Sequence, residues 1–223
     1  MGTGVQFATR VIHLPTNIER RQRLDFDLRT FEDLQYVTAE VADPLLPKYL
    51  YSGGSSVAWA KKFSLLYPDL VYRLLTTAEV NNFASHYLAL ASFSSNWCLV
   101  LEDDALVPLH FKDLLVQIIN ELPSGTDVVY VGGGFPHSQV LKPISLQNNL
   151  LRCEHPCTNT SCAYLISRKA ALRALPSFYS FDAPIDVEFA LIQKDLNLSV
   201  LHLYPYIVFE GSKSIYRSTI LRE

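Results

Sequence analysis

The first hydrophobic segment of the chain is Val11-Ile12-His13-Leu14, which predicts a β-strand over 10–14. Thr16 and Glu19 follow at the spacing of a capping box, which predicts the start of a polar helix. A second strand is predicted over 34–38, because most of its residues are β-branched or aromatic. A strand that leads directly into a helix is typical of an α/β fold.

The strongest periodic pattern lies in the middle of the chain. Thr76 and Glu79 form a second capping box, and apolar residues then repeat at helical spacing to about Ser94. The continuous apolar run over 97–101 predicts a parallel strand buried on both faces. Helices are also predicted over 111–122, 167–175 and 184–194, and strands over 127–131, 160–166 and 200–203. This alternation predicts an α/β fold with a mainly parallel sheet sandwiched by helices.

Length, charge and hydropathy narrow the class of protein. The chain has 223 residues, 49% of them hydrophobic, which predicts one domain over 1–223 with a surface excursion at 43–67. The net charge of −3 is spread along the chain, which argues against nucleic acid or an anionic membrane as a partner. The chain shows no secretory leader and no transmembrane segment, so a soluble, cytoplasmic protein is expected, with peripheral membrane attachment left open.

The chain contains four cysteines, which are Cys98, Cys153, Cys157 and Cys162. None of them forms a C-x-x-C pair, and Cys98 lies inside an apolar run. We therefore expect reduced and mostly buried thiols rather than a structural zinc site.

Three consecutive carboxylates, Glu102, Asp103 and Asp104, directly follow the most buried predicted strand. Ligands of open α/β sheets collect at this edge, and the repulsion of three like charges beside a low-dielectric interior would raise the pKa of at least one of them or require a cation. A divalent metal with oxygen ligands is the ordinary partner, and a metal that holds a diphosphate would stabilise a departing nucleotide. A solvated acidic turn, or a cap for the following helix, explains the same residues without a ligand.

Other nucleotide sites have less support in the sequence. The chain has neither a G-x-G-x-x-G nor a G-x-x-x-x-G-K-[ST] motif. Gly132, Gly133 and Gly134 end a predicted strand and would let a sugar or phosphate approach the backbone, although a tight turn explains them almost as well.

The order of these segments resembles glycosyltransferase family 25, which contains lipooligosaccharide glycosyltransferases and the galactosyltransferase domains that modify collagen hydroxylysine. The first strand with Arg20-Arg21 looks like the family's V-I-N-L strand and R-R helix. Glu79 with Ser85-His86 sits where the family has G-E-x-G-x-x-x-S-H, and the apolar strand ending in Glu102-Asp103-Asp104 is similar to its most specific motif. Residues 163–167, 184–186 and 204–208 resemble its later segments. His13, Asn81-Asn82 and the 43–67 excursion depart from the family pattern.

The resemblance implies a GT-A-like fold and a metal-dependent, inverting transfer of a hexose from a UDP-sugar. Manganese, or magnesium in its place, is the implied metal. Galactose is the favoured sugar, with glucose next. The implied acceptor is a glycan, a lipooligosaccharide or a hydroxylated protein.

On this hypothesis Glu102 and Asp104 flank the metal. His202 is a candidate further ligand, although an inward-facing core histidine is the simpler explanation. An inverting transfer also needs a base for the acceptor hydroxyl, and Asp186 and Glu188 are the candidates. Acidic residues in a first helical turn are favoured by the helix dipole in any case.

The nucleotide sugar is expected to contact residues from several predicted strand ends and helix starts. They are His13, Leu14, Arg20, Arg21, Glu79, His86, Glu102, Asp103, Gly132 and Gly133. Simpler explanations stand beside four of these: a capping box for Glu79, a core or surface histidine for His86, and a solvated charged face for Arg20 and Arg21.

Two other functions remain open at this point. A glycosyltransferase-like module without activity would keep the fold and bind a carbohydrate or a protein. A metal-dependent phosphohydrolase would also use an acidic cluster, but such folds commonly place paired aspartates after the first strand, and here that strand ends in Leu14-Pro15.

Overall fold

An eight-stranded mixed sheet lies at the centre of the protein. The structure is a computed structural model that describes residues 5–39, 75–135, 143–179 and 181–213. The predicted surface excursion at 43–67 lies outside the described residues. Among the helices of the described segments, none combines the length and apolar character that a membrane span requires.

The described residues form helices close to where the sequence predicts them. The α-helices are α1 (Ile18–Asp27), α2 (Thr77–Ala91), α3 (Phe111–Glu121), α4 (Arg168–Ala174) and α5 (Ile185–Asp195), and short 3-10 helices cover Leu175–Tyr179 and Gly211–Lys213. The capping box of Thr76 and Glu79 is confirmed at the start of α2. The one predicted for Thr16 and Glu19 is wrong. The residue before α1 is Asn17, whose side chain makes no cap hydrogen bond because it turns to Asp103.

The strands form two sheets. They are β1 (Phe7–Ile12), β2 (Asp33–Val37), β3 (Trp97–Glu102), β4 (Ala105–Leu106), β5 (Val128–Tyr130), β6 (Gly132–Gly133), β7 (Pro143–Gln147), β8 (Leu150–Cys153), β9 (Ala163–Ser167), β10 (Val200–Leu203) and β11 (Val208–Glu210). The large sheet has the order β2-β1-β3-β9-β5-β10-β8-β7, and β4, β11 and β6 form a small second sheet.

The predicted α/β class is confirmed, but the large sheet is mixed rather than mainly parallel. Strands β1, β2 and β3 run parallel, as do β5 and β10, whereas β9 lies antiparallel between β3 and β5. A β7–β8 hairpin, and no described helix, lies between β5 and β9 along the chain. A parallel return needs a long crossover, usually a helix, and apolar periodicity does not reveal strand direction.

The hydrophobic core surrounds β3. Cys98, Leu99, Val100 and Leu101 are fully buried, as their continuous apolar run predicts. Helix α2 packs against β1, β2 and β3, and the Phe83 ring on this helix stacks on Phe181 at 3.7 Å between centroids. Burial on both faces makes β3 a rigid support for the acidic residues at its end.

Strand pairing brings three chain segments to one edge of the sheet. Ile12 and Glu102 are register partners in the parallel β1–β3 pair, so the residues after both strands emerge side by side. In the small sheet, Glu210 pairs with Ala105, the residue that follows the acidic triplet. The carboxyl edge of β1 and β3 is therefore lined by the β1–α1 connection, the acidic triplet and β11.

Arg10 lies on β1 and its side chain is buried to 1% exposure. Its guanidinium donates to Asp33 Oδ1 at 2.9 Å and to the Ser92 side chain and carbonyl oxygens at 2.9 and 3.0 Å. It therefore joins the start of β2 to the end of α2. By contrast, Arg21 lies on the exposed side of α1 and pairs with Asp25 at 3.1 Å.

We predict that Arg10→Met lowers the free energy of unfolding by about 1–3 kcal/mol, because it removes a buried guanidinium whose hydrogen bonds join β1 to the start of β2 and to the end of α2. The control Arg21→Met should lower it by less than about 1 kcal/mol, since exposed ion pairs contribute little. Urea denaturation of both variants measures the difference. Equal losses would contradict this assignment of Arg10.

Candidate active site at the carboxyl edge of β1 and β3

Three neighbouring carboxylates at the end of β3 have three different environments. Glu102 is the last residue of the strand, while Asp103 and Asp104 begin the turn that leads into β4. Both aspartates are buried, with 6% and 5% of their surfaces exposed. Since the side-chain chemistry is nearly the same, the partners of each carboxylate decide what it does.

Asp103 holds the β1–α1 connection in place. Its Oδ1 accepts a hydrogen bond from Arg20 Nη1 at 2.7 Å, and its Oδ2 accepts from Asn17 Nδ2 at 2.9 Å and from the Leu14 backbone N–H at 3.2 Å. His13 Nδ1 also lies 3.2 Å from Oδ2. A carboxylate with this many donors is a structural anchor, because its lone pairs are already used.

Glu102 is fixed from the side of α2 and from the segment before β9. Ser161 Oγ donates to Glu102 Oε1 at 2.6 Å, and His86 Nε2 lies 3.4 Å from the same oxygen. The His86 ring is fully buried and its Nδ1 lies 3.0 Å from the Tyr164 hydroxyl. Burial by itself would raise the pKa of Glu102, but His86, Ser161 and Asn82 together hold that pKa below its usual value. Glu102 is therefore an ionised group at neutral pH.

Asp104 has an unused acceptor inside the protein. Its Oδ2 accepts a hydrogen bond from the Ser212 backbone N–H at 3.0 Å. Its Oδ1 is buried and has no hydrogen-bond partner among the described residues. Burial, followed by the nearby charges of Glu102 and Glu210, raises the pKa of Asp104 to about 6. A buried, unpaired carboxylate oxygen beside two further carboxylates is an arrangement that a bound cation would stabilise.

Glu210 is a site residue that the sequence patterns did not indicate. It ends β11, pairs with Ala105 across the small sheet, and accepts a short hydrogen bond from the Ser212 side chain. Its charge acts on both Asp104 and Asp186. The only sequence signal is a carboxylate after a short apolar run, and the pairing of β11 with β4 gives that signal its meaning.

These residues line one pocket. The cavity volume of this pocket is about 100 Å³, and the pocket is partly open to solvent. Its walls come from the β1–α1 connection, from α2, from the acidic triplet and from the β11 end: Ile12, His13, Leu14, Arg20, Ala78, Asn82, Ser85, Glu102, Asp103, Asp104, Glu210 and Ser212. Six of the residues that the sequence suggested for donor or metal binding are among them.

The two candidate bases differ in their surroundings. Asp186 is half-buried in the first turn of α5, and burial, together with the charges of Glu102 and Glu210, raises its pKa to about 6. Glu188 is buried, and its Oε1 accepts backbone N–H groups of Asp182 and Ala183 at 2.7 and 3.0 Å. Glu188 therefore fixes the turn before α5, whereas Asp186 has electrostatic contact with the acidic cluster.

Other predicted contact residues have structural tasks. Glu79 is buried at the start of α2, where its side chain accepts a hydrogen bond from the Thr76 backbone N–H at 2.9 Å. His86 is enclosed behind Glu102 and orients that carboxylate from within the core. Arg21 is not among the residues that line the pocket, and its guanidinium carbon lies 3.2 Å from the centroid of the Tyr36 ring.

The glycines after β5 are required by the protein's own packing. A Cβ at Gly132 would lie 2.8 Å from Ala163 Cβ and 2.9 Å from Val208 Cβ, and a Cβ at Gly133 would lie 2.5 Å from the Tyr206 ring. These contacts explain both glycines without a sugar or phosphate. Neither residue is among those that line the pocket.

His202 is not close enough to join the acidic cluster. In the large sheet it is in register with Tyr130 of β5, which pairs with Tyr164 of β9, which pairs with Val100 of β3. It therefore lies three strand intervals from β3, roughly 14 Å at 4.8 Å per interval. Metal–ligand bonds are about 2.2 Å long, so His202 is too far away to bind a metal that is held by Asp104.

Comparison with known proteins finds solved structures that are similar to this chain at low sequence identity. Neither a family model nor a curated protein matches the chain. Similar solved structures include the apo form of the glycosyltransferase GlyE of Streptococcus pneumoniae TIGR4, with 10% identity, a TM-score of 0.46 and coverage of 93% of this chain. A mycobacterial protein has 13% identity and a TM-score of 0.45 over 90% of this chain. Apo mouse xyloside xylosyltransferase 1 has 11% identity and a TM-score of 0.41 over 88% of this chain and 84% of its own.

The chain spans 54% of the first of these proteins and 65% of the second. All three TM-scores are below 0.5, so these likenesses give no support to a particular function, and any functional argument depends on the residues of the site. The resemblance to glycosyltransferase family 25 stays a prediction that depends on the motifs quoted above.

The two buried aspartates allow one sharp test. At pH 7 without metal, Asp103→Asn should lower the free energy of unfolding by about 2–4 kcal/mol, because Arg20 loses its buried counter-ion. Asp104→Asn should raise it by up to about 3 kcal/mol, because the substitution removes a charge that burial disfavours. Urea denaturation in the presence of a chelator measures both.

The contribution of Asp104 to the free energy of unfolding should depend on pH. Its folded-state pKa of about 6 exceeds the ordinary value of 3.8, so the carboxyl destabilises the protein progressively as pH rises from about 4 to about 6. The advantage of Asp104→Asn should therefore disappear below about pH 4, where both side chains are neutral. A benefit that persists at low pH would have another cause than charge.

Proposed function

We propose that the protein is a metal-dependent glycosyltransferase that transfers a hexose from a UDP-sugar with inversion. The observation that carries the proposal is the buried, unpartnered Oδ1 of Asp104 beside Glu102 and Glu210, at the edge where α/β sheets bind ligands. The family 25 resemblance of the strand that ends in Glu102-Asp103-Asp104 supports the same assignment.

The donor set fits a hard divalent cation. Asp104 offers a free carboxylate oxygen, and the two neighbouring carboxylates add the negative charge that a 2+ ion neutralises. Mg²⁺ and Mn²⁺ prefer such oxygen ligands and commonly bind through one or two carboxylates together with substrate phosphates. When bound, the ion would neutralise charge on the departing diphosphate.

Arg20 and the β1–α1 connection are suited to the diphosphate side of the pocket. Arg20 lines the pocket while its Nη1 remains paired with Asp103, so its guanidinium is held in a fixed orientation. Fixed donors cost little reorganisation when an anion binds. The uridine base and the preference for galactose, then glucose, follow from the family resemblance, as does the glycan, lipooligosaccharide or hydroxylated protein acceptor.

Asp186 is the base in this proposal. The acceptor hydroxyl oxygen attacks the anomeric carbon, the bond from that carbon to the diphosphate oxygen breaks, and the hydroxyl proton passes to an Asp186 carboxylate oxygen. A pKa of about 6 leaves Asp186 mostly ionised at pH 7 yet more basic than an ordinary aspartate. Glu188 positions Asp186 by fixing the turn before α5.

Donor binding is tested by thermal unfolding with and without MnCl₂ and UDP. A ligand at 100 times its Kd stabilises the folded state by about 2.7 kcal/mol, so the Tm should rise by roughly 5–10 °C. Asp104→Asn should abolish this shift while the metal-free variant stays folded. The control Asp113→Asn, which changes an exposed acidic residue of α3, should keep it.

Absence of a shift in the wild-type protein would overturn the proposal. A shift without hydrolysis of any donor in a panel of sugar nucleotides would favour a binding module without activity. Release of phosphate from simple phosphoesters, with no hydrolysis of sugar nucleotides, would favour a phosphohydrolase instead.

Turnover should depend on Asp186 in a pH-dependent way. We predict that the rate rises as pH passes through about 6, and that Asp186→Asn lowers kcat by about 10²–10⁴-fold with the UDP-induced Tm shift retained. Asp195→Asn, at the exposed end of the same helix, is the matched control and should leave kcat unchanged. If the pH profile of Asp186→Asn kept the wild-type limb near 6, another residue would be the base.

A further inference from the structure

A second cluster of ligand atoms lies at β10 and β8, which are three and four strand positions away from β3 in the large sheet. Cys153 ends β8, Cys157 follows in the next connection, and His202 lies on β10, which pairs with β8. All three are buried, with exposures of 2%, 4% and 0%. We propose that Cys153, Cys157 and His202 bind a Zn²⁺ ion that fastens the connection between β8 and β9.

The spacing of the donor atoms fits tetrahedral zinc. One Sγ from each cysteine and one nitrogen of His202 all lie within 4.8 Å of one another, and Cys157 Sγ lies 3.5 Å from His202 Nε2. Zn–S bonds of about 2.3 Å and Zn–N bonds of about 2.0 Å place sulfur and nitrogen about 3.5 Å apart, and two sulfurs about 3.8 Å apart. Small side-chain movements therefore suffice to bring the three atoms around one ion.

The histidine is already oriented for this role. Its Nδ1 lies 2.7 Å from the Tyr206 hydroxyl, and its ring stacks on Tyr130 at 4.7 Å between centroids. These contacts direct Nε2 towards Cys157. Metal-bound histidines almost always use the second ring nitrogen in such a hydrogen bond, which fixes both the ring and its tautomer.

A candidate fourth ligand is part of the same connection. His155 stands between the two cysteines in sequence, is half-buried, and has an Nδ1 that is buried without a hydrogen-bond partner among the described residues. It is outside the group whose ligand atoms all lie within 4.8 Å of one another, so its side chain would have to move to reach the ion. Thiolate and imidazole ligands favour zinc over the hard cations that carboxylates bind. The chemistry of this cluster is therefore distinct from that of the acidic pocket.

The ion would connect to the active-site edge through the backbone. The segment from Cys157 leads to Asn159, which exchanges two hydrogen bonds with the Phe135 backbone, and to Ser161, which donates to Glu102.

Binding of Zn²⁺ forms two Zn–S bonds and releases the two thiol protons to solvent, so the affinity for Zn²⁺ should fall as pH is lowered.

The proposed zinc site is tested by titrating the reduced, metal-free protein with Co²⁺ and then with Zn²⁺. We expect one equivalent of Co²⁺ to produce sulfur-to-cobalt charge-transfer absorption together with visible bands of tetrahedral cobalt, and Zn²⁺ to remove both. Cys157→Ser and Cys153→Ser should each lose the charge-transfer intensity, while Cys98→Ala, which removes another buried thiol, should keep it. Tyr206→Phe should weaken zinc binding by about 10–100-fold.

Several outcomes would overturn the proposal, and none depends on glycosyl transfer. They are the absence of cobalt absorption in the reduced wild-type protein, unchanged absorption in both serine variants, or a Cys153–Cys157 disulfide by mass spectrometry with no metal uptake after reduction. If the serine variants do not fold, the wild-type titration and its metal content by elemental analysis still decide. Loss of zinc binding with the UDP-induced Tm shift retained would leave the proposed transferase function intact.

Discussion

Asp103 joins two parallel strand ends that would otherwise be connected only through the sheet. Arg20, Asn17 and the Leu14 backbone donate to its two oxygens, so the connection that follows β1 is held against the turn that follows β3. The desolvation of this carboxylate is offset by a buried guanidinium and by two further N–H donors. The shape of the pocket depends on this contact, because the β1–α1 connection forms one wall and the acidic turn forms its floor.

The three carboxylates of the acidic triplet have different roles because each has different neighbours. Asp103 is neutralised by Arg20, Glu102 is held ionised by His86 and Ser161, and Asp104 keeps an unsatisfied oxygen at a raised pKa. The unequal pairing leaves one ligand position available while the turn stays fixed.

Sequence patterns predicted much of the fold because those patterns are local. The buried strand at β3, the capping box of Thr76 and Glu79, and the position of the acidic triplet all depend on near neighbours along the chain. The direction of β9 and the presence of Glu210 at the pocket depend on pairing between distant strands, which periodicity does not encode. For the same reason, cysteine spacing gave no sign that His202 lies beside Cys157, and residue type alone did not distinguish the anchoring role of Asp103 from the open oxygen of Asp104.

The antiparallel direction of β9 determines which chain connections lie at the pocket edge of the sheet, where sequence changes would alter the pocket. In the parallel strands β1 and β3, the residues after the strand reach the ligand edge, whereas in β9 the residues before it do, with the Cys162 carbonyl bonded to the Glu102 N–H at 2.9 Å. Insertions or exchanges between β8 and β9 would therefore reshape the surroundings of the acidic pocket. Changes in the connection that directly follows Ser167 would instead fall at the opposite end of the sheet, away from the acidic pocket.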